Sequence, residues 1–177
     1  MKLLCCVTNG FEEVEFVGTI GILRRGDVDI DLFSLHDSTS TGRYGVSVTN
    51  LLNFATLDYK KYDGLFIPGG PQYLELENNP TFKEILTYFL KNNKLVAAIC
   101  AGPTLIGHLG YLKGKKYTCF TAMNENFGGT YLDQYVVKDG NLITGRSAAA
   151  TIDFAFEVLE FVKGKDKADE IKHQIYY

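Results

Sequence analysis

Five consecutive apolar residues, Leu95-Val96-Ala97-Ala98-Ile99, stop abruptly at Cys100-Ala101-Gly102-Pro103. A continuous apolar run of that length suits a central parallel strand buried on both faces. Other runs repeat the pattern: Lys2–Val7, Asp29–Phe33 and Gly64–Ile67 read as strands, the last cut off by Pro68-Gly69-Gly70. Between them lie amphipathic segments, Glu12 to about Arg25, Thr81–Asn92 and Thr151–Val162. In the second, Pro80 favours the helix start and Phe82, Ile85, Leu86, Phe89 and Leu90 form the apolar stripe. Val46–Thr49 reads as a short exposed strand of a hairpin begun near Thr41-Gly42, and Asp139-Gly140 marks a second hairpin within Val136–Ile143. Strands alternating with helices predict an α/β, doubly wound chain with a mostly parallel sheet covered on both faces. Its 177 residues, without repeat or linker, predict a single domain, residues 1–177.

Composition narrows the function. Lys+Arg 18 against Asp+Glu 21 offers no electrostatic footprint for a phosphate backbone, so nucleic-acid binding is disfavoured. No apolar run approaches the roughly 18 residues needed to cross a bilayer, and MKLLCCVTNGFEEVEF is unlike a secretory signal. A cytoplasmic protein with reduced thiols is expected. The four cysteines, 5, 6, 100 and 119, form no CxxC pair, and adjacent Cys5 and Cys6 must face opposite sides of a strand, so no metal site is expected. Neither G-x-G-x-x-G after the first strand nor G-x-x-x-x-G-K occurs, which argues against nucleotide cofactors.

Chemistry collects where strands end. Cys100 closes the most apolar strand, and small residues open the helix behind it. A strand–nucleophile–helix turn holds a side chain clear of the backbone, and helix N–H groups favour thiolate. A buried cysteine capping a strand is the plainer reading. Gly69 and Gly70 either make a turn needing positive φ or present bare N–H groups to an oxyanion or an oxidised sulfur. For Glu12 and Glu13, acidic residues in a first helical turn suffice as explanation. Glu15 is followed at i+3 and i+7 by Gly18 and Ile22, an apolar line, so its carboxyl is expected to be inward, paired or protonated.

Glu15, Pro68-Gly69-Gly70 and Ala98-Ile99-Cys100-Ala101-Gly102-Pro103 together resemble the ThiJ/PfpI superfamily, closest to the branch of the parkinsonism-associated redox protein and deglycase. The similarity extends through Leu23-Arg24-Arg25-Gly26 to Lys138-Asp139-Gly140 and Thr144-Gly145-Arg146. The resemblance implies a flavodoxin-like, class I glutamine amidotransferase-like sandwich, usually a homodimer, without metal or cofactor. It further implies Cys100 as the reactive cysteine, Glu15 as the protonated acid touching it, and the amides of Gly70 and Ala101 toward a bound oxygen. Arg25 and Arg146 fall where that branch has arginines near the pocket and dimer seam; solvated surface charge is their other reading. Members that act as enzymes generally supply a histidine after the cysteine or about 20 residues later, where this chain has Ala101 and Phe120. Of the three histidines, His108 lies about two helical turns beyond Cys100, too far to touch its sulfur. Without a Cys-His dyad, peptidase activity is not expected. A redox-responsive protein with Cys100 oxidisable to sulfinate fits that departure. The alternative is a cofactor-free glyoxalase or deglycase acting on small carbonyl compounds through Cys100 and Glu15.

The first helix carries an expectation about assembly. Val14, Val17, Gly18, Gly21 and Ile22 form one apolar arc, and Phe16, Ile20 and Leu23 a second. One arc covers the sheet; the other is expected to meet a second copy, with Phe16 and Ile20 the positions where a charge splits or destabilises the homodimer.

Overall fold

The computed structural model describes all residues, Met1–Tyr177. Strand β1 (Lys2–Cys6) leads into α1 (Glu13–Arg25) and β2 (Asp29–Ser34). Three short strands follow, β3 (Ser40–Thr41), β4 (Ser47–Val48) and β5 (Leu52–Asn53), then β6 (Gly64–Ile67). Helices α2 (Gln72–Asn78) and α3 (Pro80–Lys91) precede β7 (Leu95–Ile99) and α4 (Gly102–His108). Strands β8 (Lys116–Tyr117), β9 (Thr130–Tyr131), β10 (Val136–Asp139) and β11 (Leu142–Gly145) lead to α5 (Thr151–Lys163) and α6 (Lys165–Gln174).

Seven strands form one sheet in the order β10-β11-β7-β6-β1-β2-β5, parallel throughout except for the β10–β11 hairpin. Because side chains alternate along a strand, each continuous apolar run feeds two cores. Leu3, Cys5, Phe66 and Ala97 pack with Phe16, Ile20, Leu23, Phe154 and Leu159 of α1 and α5. Leu4, Cys6, Leu65, Ile67, Val96 and Ala98 pack with Leu76, Phe82, Leu86 and Leu105 of α2, α3 and α4. Cys5 and Cys6 thus serve opposite cores. No helix is long and apolar enough to cross a membrane.

Elements with strong local signals lie within a residue or two of their expected limits. Asn79 caps α3 by accepting from the amides of Thr81 and Phe82, and Pro80 occupies its first position. Both hairpins form, β3 with β4 and β10 with β11. Two helices beyond the expected set appear. In α2 only Gln72 and Leu76 are buried, and in α6 only Ala168 and Ile171. Neither offers an apolar stripe long enough to register as a 3.6-residue period.

The orientation of α1 corrects the assembly expectation. Phe16, Ile20, Ile22 and Leu23 face the core, while Val14 and Val17 are 56% and 52% exposed and Gly21 is open to solvent. Gly18 lies against α5, where an added Cβ would sit 2.8 Å from Thr151 Cγ2. The arc that covers the sheet is therefore the Phe16 arc, and charge at Phe16 or Ile20 attacks the core. Phe16→Ala is expected to cost about 3–5 kcal/mol in urea denaturation, whereas Lys83→Ala, at an exposed position of α3, should stay within about 0.5 kcal/mol.

Candidate active site

β1 continues outward to β2, whereas β6 starts the run in the opposite direction from β1. That reversal is a topological switch point, where open α/β sheets bind ligands beyond the carboxyl ends of their strands. The segments after β1, β6 and β7 meet there, bringing Glu15, Gly69, Gly70 and Cys100 together.

Cys100 follows β7 with φ +62°, a left-handed conformation that costs a non-glycine residue on the order of 1–3 kcal/mol. Its neighbours hold it: Cys100 N–H donates to Gly145 O at 2.9 Å, and its carbonyl accepts from Phe120 N–H at 2.8 Å. Gly102 permits the sharp exit, since a Cβ there would approach Ile67 O to 2.8 Å. The half-buried thiol faces the amides of Gly70 and Ala101.

Glu15 is wholly buried in the first turn of α1. The Glu12 side chain caps that turn, accepting from Glu15 N–H at 2.8 Å. Glu15 Oε2 accepts from Gly69 N–H at 2.9 Å. Oε1 is buried and has no hydrogen-bond partner, and the carboxyl adjoins the Cys100 thiol. Gly69 makes that approach possible. A Cβ on it would lie 2.5 Å from Glu15 Oε2 and 2.6 Å from Cys100 Cβ. Gly70, at φ +86°, fits its backbone against Gly10 O and Glu12 N, which a Cβ would meet at 2.4 and 2.5 Å.

Burial pushes the Glu15 carboxyl up from 4.5 to about 7, against the opposing pull of the Cys100 and Gly69 hydrogen bonds. Burial also pushes the Cys100 thiol up, and an ionised Glu15 adds to it; the Ala101 and Gly70 amides pull it down. Two anions cannot share this space, so the pair titrates as a unit. The pair holds a single negative charge, which the Gly70 and Ala101 amides face when it is on sulfur.

Side chains outside the expected set complete the surroundings. Buried Gln72 pins the loops after β1 and β6: Nε2 donates to Pro68 O at 2.7 Å, and Oε1 accepts from Thr8 N–H at 3.0 Å. Glu13 does more than suit the helix dipole. Its Oε1 accepts from Tyr44 N–H at 2.6 Å and so fastens the β3–β4 turn, which carries Arg43 to the cleft. Arg43, Tyr73, Leu74, Phe120 and Met123 line a cleft of about 230 Å³ over Cys100. These residues come from separate loops and α2, so spacing along the chain carried no signal for their convergence. A larger groove of about 350 Å³, lined by Lys2, Leu52, Lys61 and Tyr62 among others, contains no cysteine.

Arg25 is exposed at the last residue of α1, and Arg146 pairs with Asp133 at 2.8 Å while its guanidinium lies 4.8 Å from the Tyr135 ring centre. Neither lines the cleft. His108 closes α4, paired with Glu77 and Glu125, and His36 pairs with Glu75. Phe120, not a histidine, stands beside the cysteine.

Comparison with known proteins follows the same outline. The profile of the DJ-1/PfpI family matches residues 1–161. Protein DJ-1alpha of Drosophila melanogaster is 32% identical over 174 residues, covering 95% of this chain and 80% of that protein. A deglycase of Pyrococcus horikoshii is 31% identical over 166 residues, covering 92% of this chain and 98% of that protein. The structure of Schizosaccharomyces pombe DJ-1 superposes with a TM-score of 0.91 at 28% identity, covering 100% of both chains.

Proposed function

The chain belongs to the DJ-1/PfpI family, and from that premise we propose that it is a stress-protective protein that removes reactive carbonyls with Cys100 and Glu15, without a cofactor. One observation carries this reading. A buried carboxyl with a pKa near 7 adjoins a half-buried thiol. A general acid/base works best with a pKa close to the operating pH.

In this scheme the sulfur bonds to the aldehyde carbon of methylglyoxal, and the thiol proton passes through Glu15 to the carbonyl oxygen. The product is a hemithioacetal. Glu15 then takes the proton from that carbon and returns one to the neighbouring carbon. The first carbon is oxidised to a thioester and the second reduced to an alcohol, so no external electron acceptor is needed. Water cleaves the thioester to lactate and restores the thiol. The Gly70 and Ala101 amides support the oxyanions that form along the way. Lactate formation from methylglyoxal tests the scheme: the wild type is expected to exceed Cys100→Ala by at least about 100-fold. Equal rates overturn it.

A second reading is favoured by Phe120, which cannot carry a proton. Here Cys100 is a peroxide-responsive thiol. The thiolate attacks one oxygen of hydrogen peroxide, forming sulfenate and releasing water, and a second peroxide makes sulfinate. A protonated Glu15 and the Gly70 amide hold the new oxygens. Cys5, Cys6 and Cys119 are fully buried, whereas Cys100 is half-buried and opens into the cleft, so mass spectrometry after mild peroxide should find two added oxygens on Cys100 first. Oxidation spread equally over the four cysteines excludes this reading.

The proposal includes a homodimer. The exposed Val14, Val17 and Gly21 continue into an apolar groove with Leu32 and Val48, a surface suited to a second copy. Sedimentation equilibrium should report twice 19.7 kDa for the wild type and 19.7 kDa for Val17→Glu. A monomeric wild type refutes the dimer.

A further inference from the structure

We propose that the Cys100 cleft selects α-oxoaldehydes bearing an aryl or branched-alkyl substituent over methylglyoxal, through the apolar wall formed by Tyr73, Leu74, Phe120 and Met123. This rests on the carbonyl reading of Cys100 and Glu15 and names the substrate class of that site.

Leu74, Phe120 and Met123 belong to neither core, and Tyr73 packs at the edge of the second. Leu76 is the apolar residue that α2 gives to its core, whereas Leu74 on the same helix is 54% exposed and lines the cleft. Phe120 is 42% exposed, and its backbone N–H bonded to Cys100 O fixes it beside the nucleophile. At that place a phenyl ring offers apolar area and no proton transfer. Tyr73 and Met123, both half-buried, extend the wall, and Arg43 is the only charged side chain lining the cleft.

Size points the same way. The cleft volume, about 230 Å³, falls just below the range for drug-sized ligands, ~300–1,000 Å³, leaving room for roughly ten non-hydrogen atoms. Phenylglyoxal has that many; methylglyoxal has half and leaves the wall wet. Covering the wall with a phenyl ring instead of a methyl group is expected to raise kcat/KM by about 30-fold, given the free energy of burying apolar area.

The test compares initial rates of mandelate formation from phenylglyoxal and lactate formation from methylglyoxal. It uses the wild type, Leu74→Ala and Phe120→Ala. The expected wild-type ratio of kcat/KM is about 30 in favour of phenylglyoxal, falling at least about fivefold in each variant as the KM for phenylglyoxal rises. Leu74 lies outside the core, so Leu74→Ala is expected to melt with the wild type. A wild-type ratio near one, or a ratio that neither variant moves, overturns the selectivity while leaving the carbonyl reading intact. Failure to convert either aldehyde sinks the carbonyl reading and the selectivity with it.

Discussion

Glu15→Gln is expected to fold, to be more stable than the wild type at pH 8, and to lose carbonyl turnover by about 10²–10⁴-fold. The amide oxygen can still accept from Gly69 N–H, and the amide nitrogen can still donate toward sulfur, so the local hydrogen bonds survive. What disappears is the exchangeable proton. Stability moves the other way because the folded carboxyl, at about 7, lies above its unfolded value near 4.5. As pH rises the unfolded chain releases this proton first, so the group's contribution is full below about 4.5 and is lost through about 7. The loss amounts to about 3 kcal/mol. Glutamine escapes it, so the variant's melting temperature should exceed that of the wild type by about 6–12 °C at pH 8 and match it at pH 4.5. An unchanged difference across that window would show that Glu15 is not the titrating group. Turnover equal to wild type would remove it from acid/base work. Glu15→Asp, one methylene shorter, should loosen the contact and leave peroxide-treated Cys100 as sulfenate rather than stable sulfinate.

Gly69→Ala is expected to damage the same pair from the other side. Its Cβ would fall 2.5 Å from Glu15 Oε2 and 2.6 Å from Cys100 Cβ, with Ile99 O at 3.1 Å behind it. Neither Glu15, fixed in the first turn of α1, nor Cys100, held through Gly145 and Phe120, can step aside without breaking a hydrogen bond. Overpacking of this kind costs about 1–3 kcal/mol. The functional loss should be larger than the stability loss, because separating carboxyl from thiol by even 1 Å can cost about 100-fold. Calorimetry beside an iodoacetamide rate profile distinguishes the two. A folded Gly69→Ala protein with the wild-type alkylation profile would show that close approach of Glu15 is not what tunes Cys100.

The architecture was legible because its signals are local. Gly64–Ile67 and Leu95–Ile99 carry their apolar runs without interruption, and both coincide with strands β6 and β7. Pro80 and the Asp139-Gly140 turn mark boundaries through backbone preferences that need no tertiary partner. Glu15 and Cys100 could be singled out for the same reason. One is an acid on an apolar helical line; the other ends the most buried strand before small residues.

Tertiary structure decided everything that depends on which surfaces meet. The two arcs of α1 are similar in apolar content, so periodicity could not choose between them; α5 chose, by seating Thr151 against Gly18 and drawing Phe16 and Ile20 inward. Nothing local distinguished Glu13 from an ordinary first-turn acid. The β3–β4 turn made Glu13 a clamp, while the loop after β6 enclosed Glu15 in low dielectric and raised its pKa. The cleft wall of Tyr73, Leu74, Phe120 and Met123 gathers from positions up to 50 residues apart, a convergence that only strand order and loop packing produce. Sequence alone therefore determined the chain's local conformations and its chemically unusual residues, because short-range sterics and hydrophobic period act within a few residues. The choice of buried face, the proton affinity of Glu15 and the shape over Cys100 required long-range packing, which brings distant groups within the few ångströms where desolvation and contact act.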